Sequence, residues 1–333
     1  MRSLLVLSFF AAIVWAGYWF VGMRAVESGL SSWIEQRRDE GWVADYATLN
    51  TRGFPNRFDT TITQLQLADP ETGVAWSVPF FQIFALSYKP NHIIAAWPNE
   101  QIIATPMQNI KILSDTMRAS VVFRPDTSLE LNHSIIELDN FRLESSDGWS
   151  ASLEHGSLAT RPTVGKPDTH DIGFNAVGVR PSRDLLESLN PGGTLPDVFE
   201  TLHIETSVTF DAPWDRYAIE QRRPQIEKLD LNILQANWGQ MDLNAAGELD
   251  IDQYGIPSGR ITVRAKNWRE MLDFAVASGV ITKGIAPTIE RAMELLAAMS
   301  GNPKTLDAPL TFHNGRMSFG PIPLGNAPRL VIR

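Results

Sequence analysis

An uncharged apolar run near the N-terminus constrains this chain more than any other feature. It extends from Leu4 to Gly22, LLVLSFFAAIVWAGYWFVG, about the length that a helix needs to cross a bilayer. Aromatic residues that favour membrane interfaces lie towards its far end, at Trp15, Tyr18 and Trp19. The run therefore predicts a signal anchor at 1–22, a single-pass transmembrane helix with the bulk of the chain outside the cytoplasm.

Two alternatives to this anchor stay open. A cleaved signal peptide would use a small-residue site such as Val14-Trp15-Ala16, although the apolar run continues past the short core that such peptides need. A cytoplasmic orientation is the other, because Arg24, Arg37 and Arg38 follow the run and weaken the positive-inside signal.

The segment 23–44 is predicted to be an amphipathic linker helix. Its apolar residues recur at helical spacing, at Val26, Leu30, Trp33 and Ile34. Its mixed charges favour packing on the following domain over a position on the bilayer surface.

From residue 45 onwards the apolar residues alternate, as they do in half-buried strands. The pattern predicts an α+β, β-dominant fold: a large curved antiparallel sheet, arranged as a meander, with a few covering helices near 182–189 and 268–299. This periplasmic domain covers 45–333, as one body or as two coupled halves, 45–165 and 166–333. The apolar register changes within 58–67, which predicts a bulge near Gln64.

Composition narrows the possible functions. The 333 residues are 44% hydrophobic and 20% charged, which is typical of a globular protein with a sizeable core. A net charge of −9 without blocks of lysine and arginine argues against nucleic acid as a partner. Cysteine is absent, so disulfides, thiolate metal sites and cysteine nucleophiles are excluded.

No pattern of catalytic residues is present. The six histidines lack metal-binding spacing, and the serine-hydrolase elbow and the glycine-rich phosphate loops are missing. We therefore expect no catalytic residue, no metal and no cofactor, and predict that the protein is not an enzyme. A hydrolase whose site is assembled from isolated residues stays open as a third alternative.

Tryptophan is the most distinctive of the large side chains. Five tryptophans lie in or beside predicted elements, and four of them are the candidate residues of an aromatic groove: Trp76, Trp97, Trp149 and Trp238, with Trp268 as the fifth. Such residues either fill the core or line a groove for an acyl chain.

Other distinctive residues concentrate in two segments, TRGFPNRFDTTI at 51–62 and NGRMSFGPIPLG at 314–325. Their glycines and prolines fix backbone direction and end strands. We predict structural turns at Gly53, Phe54, Pro55, Gly320, Pro321, Pro323 and Gly325. Three Gly-x-apolar-x-apolar matches, starting at Gly247, Gly259 and Gly315, are interpreted as turns followed by strands.

The segments 51–62, 87–98 and 313–330 resemble a bacterial family known as domain of unknown function 2125. The resemblance covers nearly the whole chain, including the anchor and the Gly-Phe-Pro corner. That family is distantly similar to the AsmA-like envelope proteins, which have an inner-membrane helix and a periplasmic strand-rich body. The resemblance implies a role in outer-membrane biogenesis or in lipid movement. Because the family has no established activity, no catalytic residue is carried over to this chain, and this body is shorter than many AsmA-like proteins.

Together these observations predict a bacterial inner-membrane protein with its bulk in the periplasm. Its expected partners are the inner membrane and a phospholipid or acyl chain, and its expected role is to handle lipid or to assist outer-membrane biogenesis. The alternative is an envelope scaffold that pairs exposed sheet edges with partner proteins.

Overall fold

A computed structural model describes residues 1–189, 196–277, 281–282, 284, 286–299 and 304–332 of the chain. Two compact units are present. Unit 1 comprises residues 1–125 and 136–148, and unit 2 comprises residues 126–135 and 149–333. The last boundary between the observed units, at 148/149, lies earlier in the chain than residue 165, where the predicted halves divide. Two stretches rich in glycine, proline and asparagine, 190–193 and 301–303, predict the ends of helices, and both lie outside the described residues.

Strands hold 53% of the chain and helices 21%, which confirms the β-dominant α+β class. The helices are α1 (Arg2–Asp39), α2 (Arg183–Leu189), α3 (Arg216–Glu220), α4 (Trp268–Ala277) and α5 (Ala286–Met299). Helix α1 is continuous, so the segment 23–44, predicted as a separate linker helix, forms the second half of α1 and the first strand. At 1.5 Å per residue, α1 is about 57 Å long.

Unit 1 is built on a long antiparallel hairpin. Its strands are β1 (Val43–Asp45), β2 (Thr48–Arg52), β3 (Arg57–Asp69), β4 (Val74–Leu86), β5 (Lys89–Ala96), β6 (Glu100–Ala104), β7 (Asn109–Leu113), β8 (Thr116–Phe123) and the end of β9 (Leu131–Ser145). Strand β3 pairs with β4 on one side and with β1 and β2 on the other. On its far side β4 pairs with β5 at one end and β6 at the other. The hairpin β3–β4 is therefore the spine of unit 1.

Strand β3 changes its buried face at Gln64. Phe58, Thr60 and Ile62 are buried before that point and Leu65 is buried after it. Gln64 has a φ of 52°, which reverses the alternation, yet the register of β3 with β4 is unchanged across it. The predicted change of face is present, but a left-handed residue causes it rather than the predicted bulge, because no extra residue enters the ladder.

Unit 2 is an antiparallel meander. Its strands are β10 (Ser150–Pro162), β11 (Thr169–Val179), β12 (Phe199–Phe210), β13 (Ile226–Trp238), β14 (Met241–Ile251), β15 (Pro257–Lys266), β16 (Thr305–His313), β17 (Arg316–Phe319) and β18 (Ile322–Asn326). Each strand pairs with the next along the chain. The register shifts within β12–β13 and β13–β14, and irregularities of this kind bend a sheet.

The predicted turn residues near the C-terminus do not all lie in turns. Asn314 and Gly315, with φ of 50° and 71°, form the two-residue turn between β16 and β17. Gly320 and Pro321 connect β17 to β18, whereas Pro323 and Gly325 lie inside β18, on either side of a register shift.

Two of the three Gly-x-apolar matches are not turns. Gly247 lies inside β14 and Gly259 inside β15, so the interpretation as turns holds only for Gly315. A Cβ atom on Gly247 would lie 2.2 Å from the Arg260 carbonyl oxygen. The glycine is therefore required because the backbones of β14 and β15 approach each other too closely for a side chain.

Candidate functional site

An apolar cavity of about 290 Å³ lies in unit 2 between the sheet and helices α4 and α5. The described residues around it are all apolar: Phe199, Ala236, Trp238, Met241, Leu243, Val263, Ala265, Trp268, Met271, Leu272, Ile281, Met293, Leu306 and Phe319. Ligand pockets begin at about 300 Å³, and an engineered apolar cavity of about 150 Å³ already binds benzene. The cavity is therefore large enough for a hydrocarbon ligand.

Strand alternation builds the floor of this cavity. Ala236 on β13 lies opposite Leu243 on β14, and Leu243 lies opposite Ala265 on β15, so the three side chains share one face of the sheet. Leu306 on β16 continues the row beyond Ala265. Because an alanine side chain ends at Cβ, the two alanines leave volume between their larger neighbours.

Helical spacing builds the roof. Trp268, Met271 and Leu272 follow the i, i+3, i+4 pattern on α4, and Met293 is the contribution of α5. Helix α4 packs on β14 and α5 packs on β16. Trp268 and Leu306 are each only 2% exposed, and they belong to the main hydrophobic cluster of the unit. Trp268 and Leu306 thus line the cavity and also belong to the packed core of unit 2.

Two of the aromatic side chains that line the cavity are stacked on each other. Trp238 lies 4.0 Å from Phe199 between ring centroids, with 22° between the ring planes. The Trp238 indole N–H donates to the Pro196 carbonyl oxygen at 2.7 Å, so this polar atom is engaged by backbone. The Trp238 ring presents carbon to the cavity, which suits an alkyl chain rather than a headgroup.

The four candidate groove tryptophans do not converge. Trp238 lines the cavity, together with Trp268, which was noted beside them. Trp76 and Trp97 lie in unit 1 on either side of Phe81, at centroid distances of 5.9 and 5.3 Å. Trp149 lies just before β10 and is not among the cavity residues. The sequence did not point to Ala236 or Ala265, since nothing but their register makes them part of the cavity.

Polar clusters in the described part of the chain are small. No group of three or more His, Asp or Glu side chains is placed to hold a metal ion among the described residues. In unit 2, Asp171 accepts hydrogen bonds from Thr163 at 2.6 Å and Ser207 at 2.9 Å, and its Oδ2 lies 3.5 Å from Arg161 Nε. The Thr163 hydrogen bond, followed by Ser207 and Arg161, lowers the pKa of Asp171 against the opposing effect of burial. These partners connect adjacent strands of the sheet.

In unit 1 the N-terminal helix is docked on the Gly-Phe-Pro corner, defined here as Gly53–Arg57. The Trp15 and Trp19 indole N–H groups donate to the carbonyl oxygens of Pro55 and Arg57, at 3.0 and 2.8 Å. The Tyr18 hydroxyl donates to the Ser87 carbonyl oxygen at 2.6 Å. The three aromatics that the sequence assigns to an interface therefore also bind the helix to the domain.

Close packing accompanies these hydrogen bonds. Trp19 is 4% exposed and has ring contacts with Phe54 and Phe58 at 5.5 and 6.0 Å. A Cβ atom on Gly22 would lie 2.6 Å from the Phe58 ring, so only glycine allows the helix this close to β3. Further along α1, Glu27 Oε1 accepts from the Thr51 backbone N–H at 2.7 Å. Helix α1 is therefore held against the corner and the adjoining strands by both packing and hydrogen bonds.

The remaining N-terminal part of α1 is exposed. The helix is long and apolar enough to span a membrane, and only 6% of its most apolar window is buried. An exposed apolar surface of this kind marks a site of contact with a membrane or with another protein.

The fold and these sites define a β-dominant protein with a candidate membrane-spanning helix and an apolar cavity. The chain belongs to a bacterial family, described as "Uncharacterized protein conserved in bacteria (DUF2125)", whose model matches residues 19–328. The chain matches no curated protein and no solved structure.

Proposed function

We propose that this protein is a non-enzymatic lipid-handling protein, anchored in the bacterial inner membrane by α1 with its bulk in the periplasm. It holds the acyl chain of a membrane lipid in the cavity of unit 2 and thereby assists outer-membrane biogenesis. The observation that carries the proposal is the cavity itself, about 290 Å³ lined in its described part by apolar side chains alone.

The energetics of the cavity support this proposal. Unfilled apolar space forgoes packing contacts, and a hydrocarbon chain that enters the cavity restores them. Each CH₂ group of that chain that is removed from water contributes about 0.8 kcal/mol. A saturated chain suits the site because it needs no polar partner, and the Trp238 N–H is already bonded to Pro196.

The chemistry of the lining also indicates which part of a lipid is held. A phosphate or glycerol group would need donors or a positive charge, and the described lining supplies neither. The headgroup therefore stays outside the cavity while the hydrocarbon tail enters it. This arrangement selects lipids by tail rather than by headgroup.

Native mass spectrometry of the full-length protein, released from a mild detergent, tests the proposal. Wild type is expected to retain one acyl lipid per chain, and Ala236→Leu, which adds carbon to the floor of the cavity, is expected to lose it. Ala246→Leu is the matched control, since Ala246 is exposed on β14. Lipids around α1 are the same in all three proteins, so equal retention by Ala236→Leu would overturn the proposal.

A further inference from the structure

The apolar run of α1 overlaps the part of the helix that is docked on unit 1. The run extends from Leu4 to Gly22, and the hydrogen bonds to the corner begin at Trp15. Residues 4–14 of the run extend about 17 Å at 1.5 Å per residue, whereas the hydrocarbon core of a bilayer is about 30 Å thick. A membrane that covers the apolar run must therefore also cover the turn of α1 that is docked on the corner.

The corner has the exposed apolar side chains that such a position requires. Phe54 is 55% exposed and stacks on Phe20, which is itself 52% exposed, with 6.0 Å between ring centroids. Val21 is 69% exposed, and Tyr88, in the adjacent turn between β4 and β5, is 56% exposed. These four residues, called the corner patch, continue the exposed surface of α1 onto the sheet of unit 1.

Carbonyl oxygens of the corner are hydrogen-bonded within the protein, as an apolar environment requires. Irregular backbone at membrane depth must have its polar groups satisfied by protein. The Pro55 carbonyl oxygen accepts from Trp15 and from Ser87 Oγ, and the Arg57 carbonyl oxygen accepts from Trp19. The carbonyl oxygens of Gly53, Asn56 and Ser87 accept from Arg57, Ser87 and Tyr18, respectively. Side chains of α1 thus supply three of the donors that solvent supplies to an ordinary surface loop.

Basic residues adjoin the corner patch where lipid phosphates would lie. Arg52 directly precedes the corner, Lys89 directly follows Tyr88, and Arg24 follows Phe20 by about one turn of α1; all three are exposed. Long basic side chains reach from apolar surroundings to the polar headgroups. Arg57, by contrast, pairs with Asp59 at 3.0 Å.

We infer that the corner patch of unit 1 is a second membrane-contact site, which inserts Phe54 and Tyr88 into the interfacial region of the bilayer beside α1. The inference rests on the proposed membrane anchoring by α1 and is independent of the cavity in unit 2. The occupant is the lipid bilayer rather than a protein, because the patch is continuous with the spanning helix.

Depth-dependent fluorescence quenching tests this inference. The chain lacks cysteine, so Phe54→Cys, Tyr88→Cys, Phe9→Cys and Met107→Cys each provide one labelling position for a nitrobenzoxadiazole probe on the full-length protein. The probe is read in phosphatidylethanolamine–phosphatidylglycerol vesicles that carry spin-labelled lipid. Met107 is the control, because it is 86% exposed in the β6–β7 turn, next to Pro106, which contacts Gly73 at the opposite end of the β3–β4 hairpin.

We expect Phe54→Cys and Tyr88→Cys to show blue-shifted emission and several-fold stronger quenching by lipid labelled near the headgroup than Met107→Cys. Quenching of Phe9→Cys alone, with the two corner probes as unquenched as Met107→Cys, would overturn the inference while leaving the anchor intact. A corner probe that is shielded from water but not quenched by lipid would also overturn it, in favour of a protein partner. An unquenched Phe9→Cys would refute the anchoring itself.

Discussion

Units 1 and 2 use the same large aromatic residue for opposite purposes. In unit 1, Trp15 and Trp19 donate their indole N–H groups to the backbone of the corner, and α1 packs closely against it. This contact between α1 and the corner is called the junction. In unit 2, Trp238 and Trp268 line a cavity of about 290 Å³ between the sheet and helices α4 and α5. The difference teaches that a tryptophan indicates a close-packed junction or a binding cavity according to whether its neighbours are complementary or small.

The largest effect is expected from breaking the junction in unit 1. Trp19→Ala removes both the hydrogen bond to Arg57 and the contacts with Phe54 and Phe58. We expect it to lower the free energy of unfolding by about 3–5 kcal/mol, measured by urea unfolding of the full-length protein in detergent. Trp33→Ala in the same helix is the control, because Trp33 is 45% exposed and should cost less than about 1 kcal/mol. Equal losses would mean that the corner is not the docking point.

Glu27 tests the polar part of the same junction. Its carboxylate accepts the Thr51 N–H at 2.7 Å, so Glu27→Ala leaves a part-buried donor without a partner. We expect a loss of about 1–3 kcal/mol in the same unfolding measurement, and a smaller loss for Glu27→Gln, which keeps an acceptor oxygen. Glu35 is exposed on the same helix, and Glu35→Ala should have little effect. If the Glu27 and Glu35 variants are equally stable, this hydrogen bond does not stabilise the junction.

Filling the cavity in unit 2 is expected to raise the free energy of unfolding, whereas the two preceding substitutions lower it. In delipidated protein, Ala236→Leu is expected to raise the free energy of unfolding by about 0.5–2 kcal/mol, because it replaces lost packing contacts. Added fatty acid should then raise the melting temperature of wild type and not of this variant. Destabilisation by Ala236→Leu, with the fatty-acid response retained, would show that the cavity is not the place where the ligand binds.

The smallest effect is expected at Asp171. Because its pKa in the folded protein lies below 3.8, the ionised carboxylate adds stability above that value and the contribution is lost as the pH falls through the folded pKa. Asp171→Asn should therefore be less stable than wild type at neutral pH, by less than about 1 kcal/mol, since this side chain is 35% exposed. This difference in stability should shrink on acidification, and Asp273→Asn, at an exposed position on α4, is the control whose stability at neutral pH should be close to that of wild type. If the stability difference between Asp171→Asn and wild type instead grew as the pH fell, the lowered pKa assigned to Asp171 would be contradicted.

The sequence predicts local features well where one residue decides the geometry. The alternating patterns predict the strand-rich class of the chain from residue 45 onwards, and the turn predicted at Gly315 is the two-residue turn Asn314-Gly315 between β16 and β17. At Gln64 the pattern locates the change of buried face, but it does not distinguish a left-handed residue from a bulge, because both reverse the alternation.

Long-range features are harder to predict, because they depend on register and on contacts between distant residues. Trp15 and Trp19 are recognisable as interfacial aromatics, yet their acceptors lie 40 and 38 residues away in the chain. The alanines of the cavity, Ala236 and Ala265, are ordinary strand residues until β13, β14 and β15 are aligned. Their significance appears only when the roof provided by α4 is placed above them.

Photo-crosslinking in living bacteria tests most directly the central claim, that the cavity of unit 2 holds the acyl chain of a membrane lipid. A diazirine amino acid of about the size of methionine, which leaves the cavity unfilled, replaces Met271 in the cavity, Tyr254 on the exposed surface of the same unit, or Phe9 in α1. We predict that irradiation attaches phospholipid at positions 271 and 9 and not at position 254. Attachment at position 9 alone, with the position 271 variant folded and lipid-free, would contradict the claim.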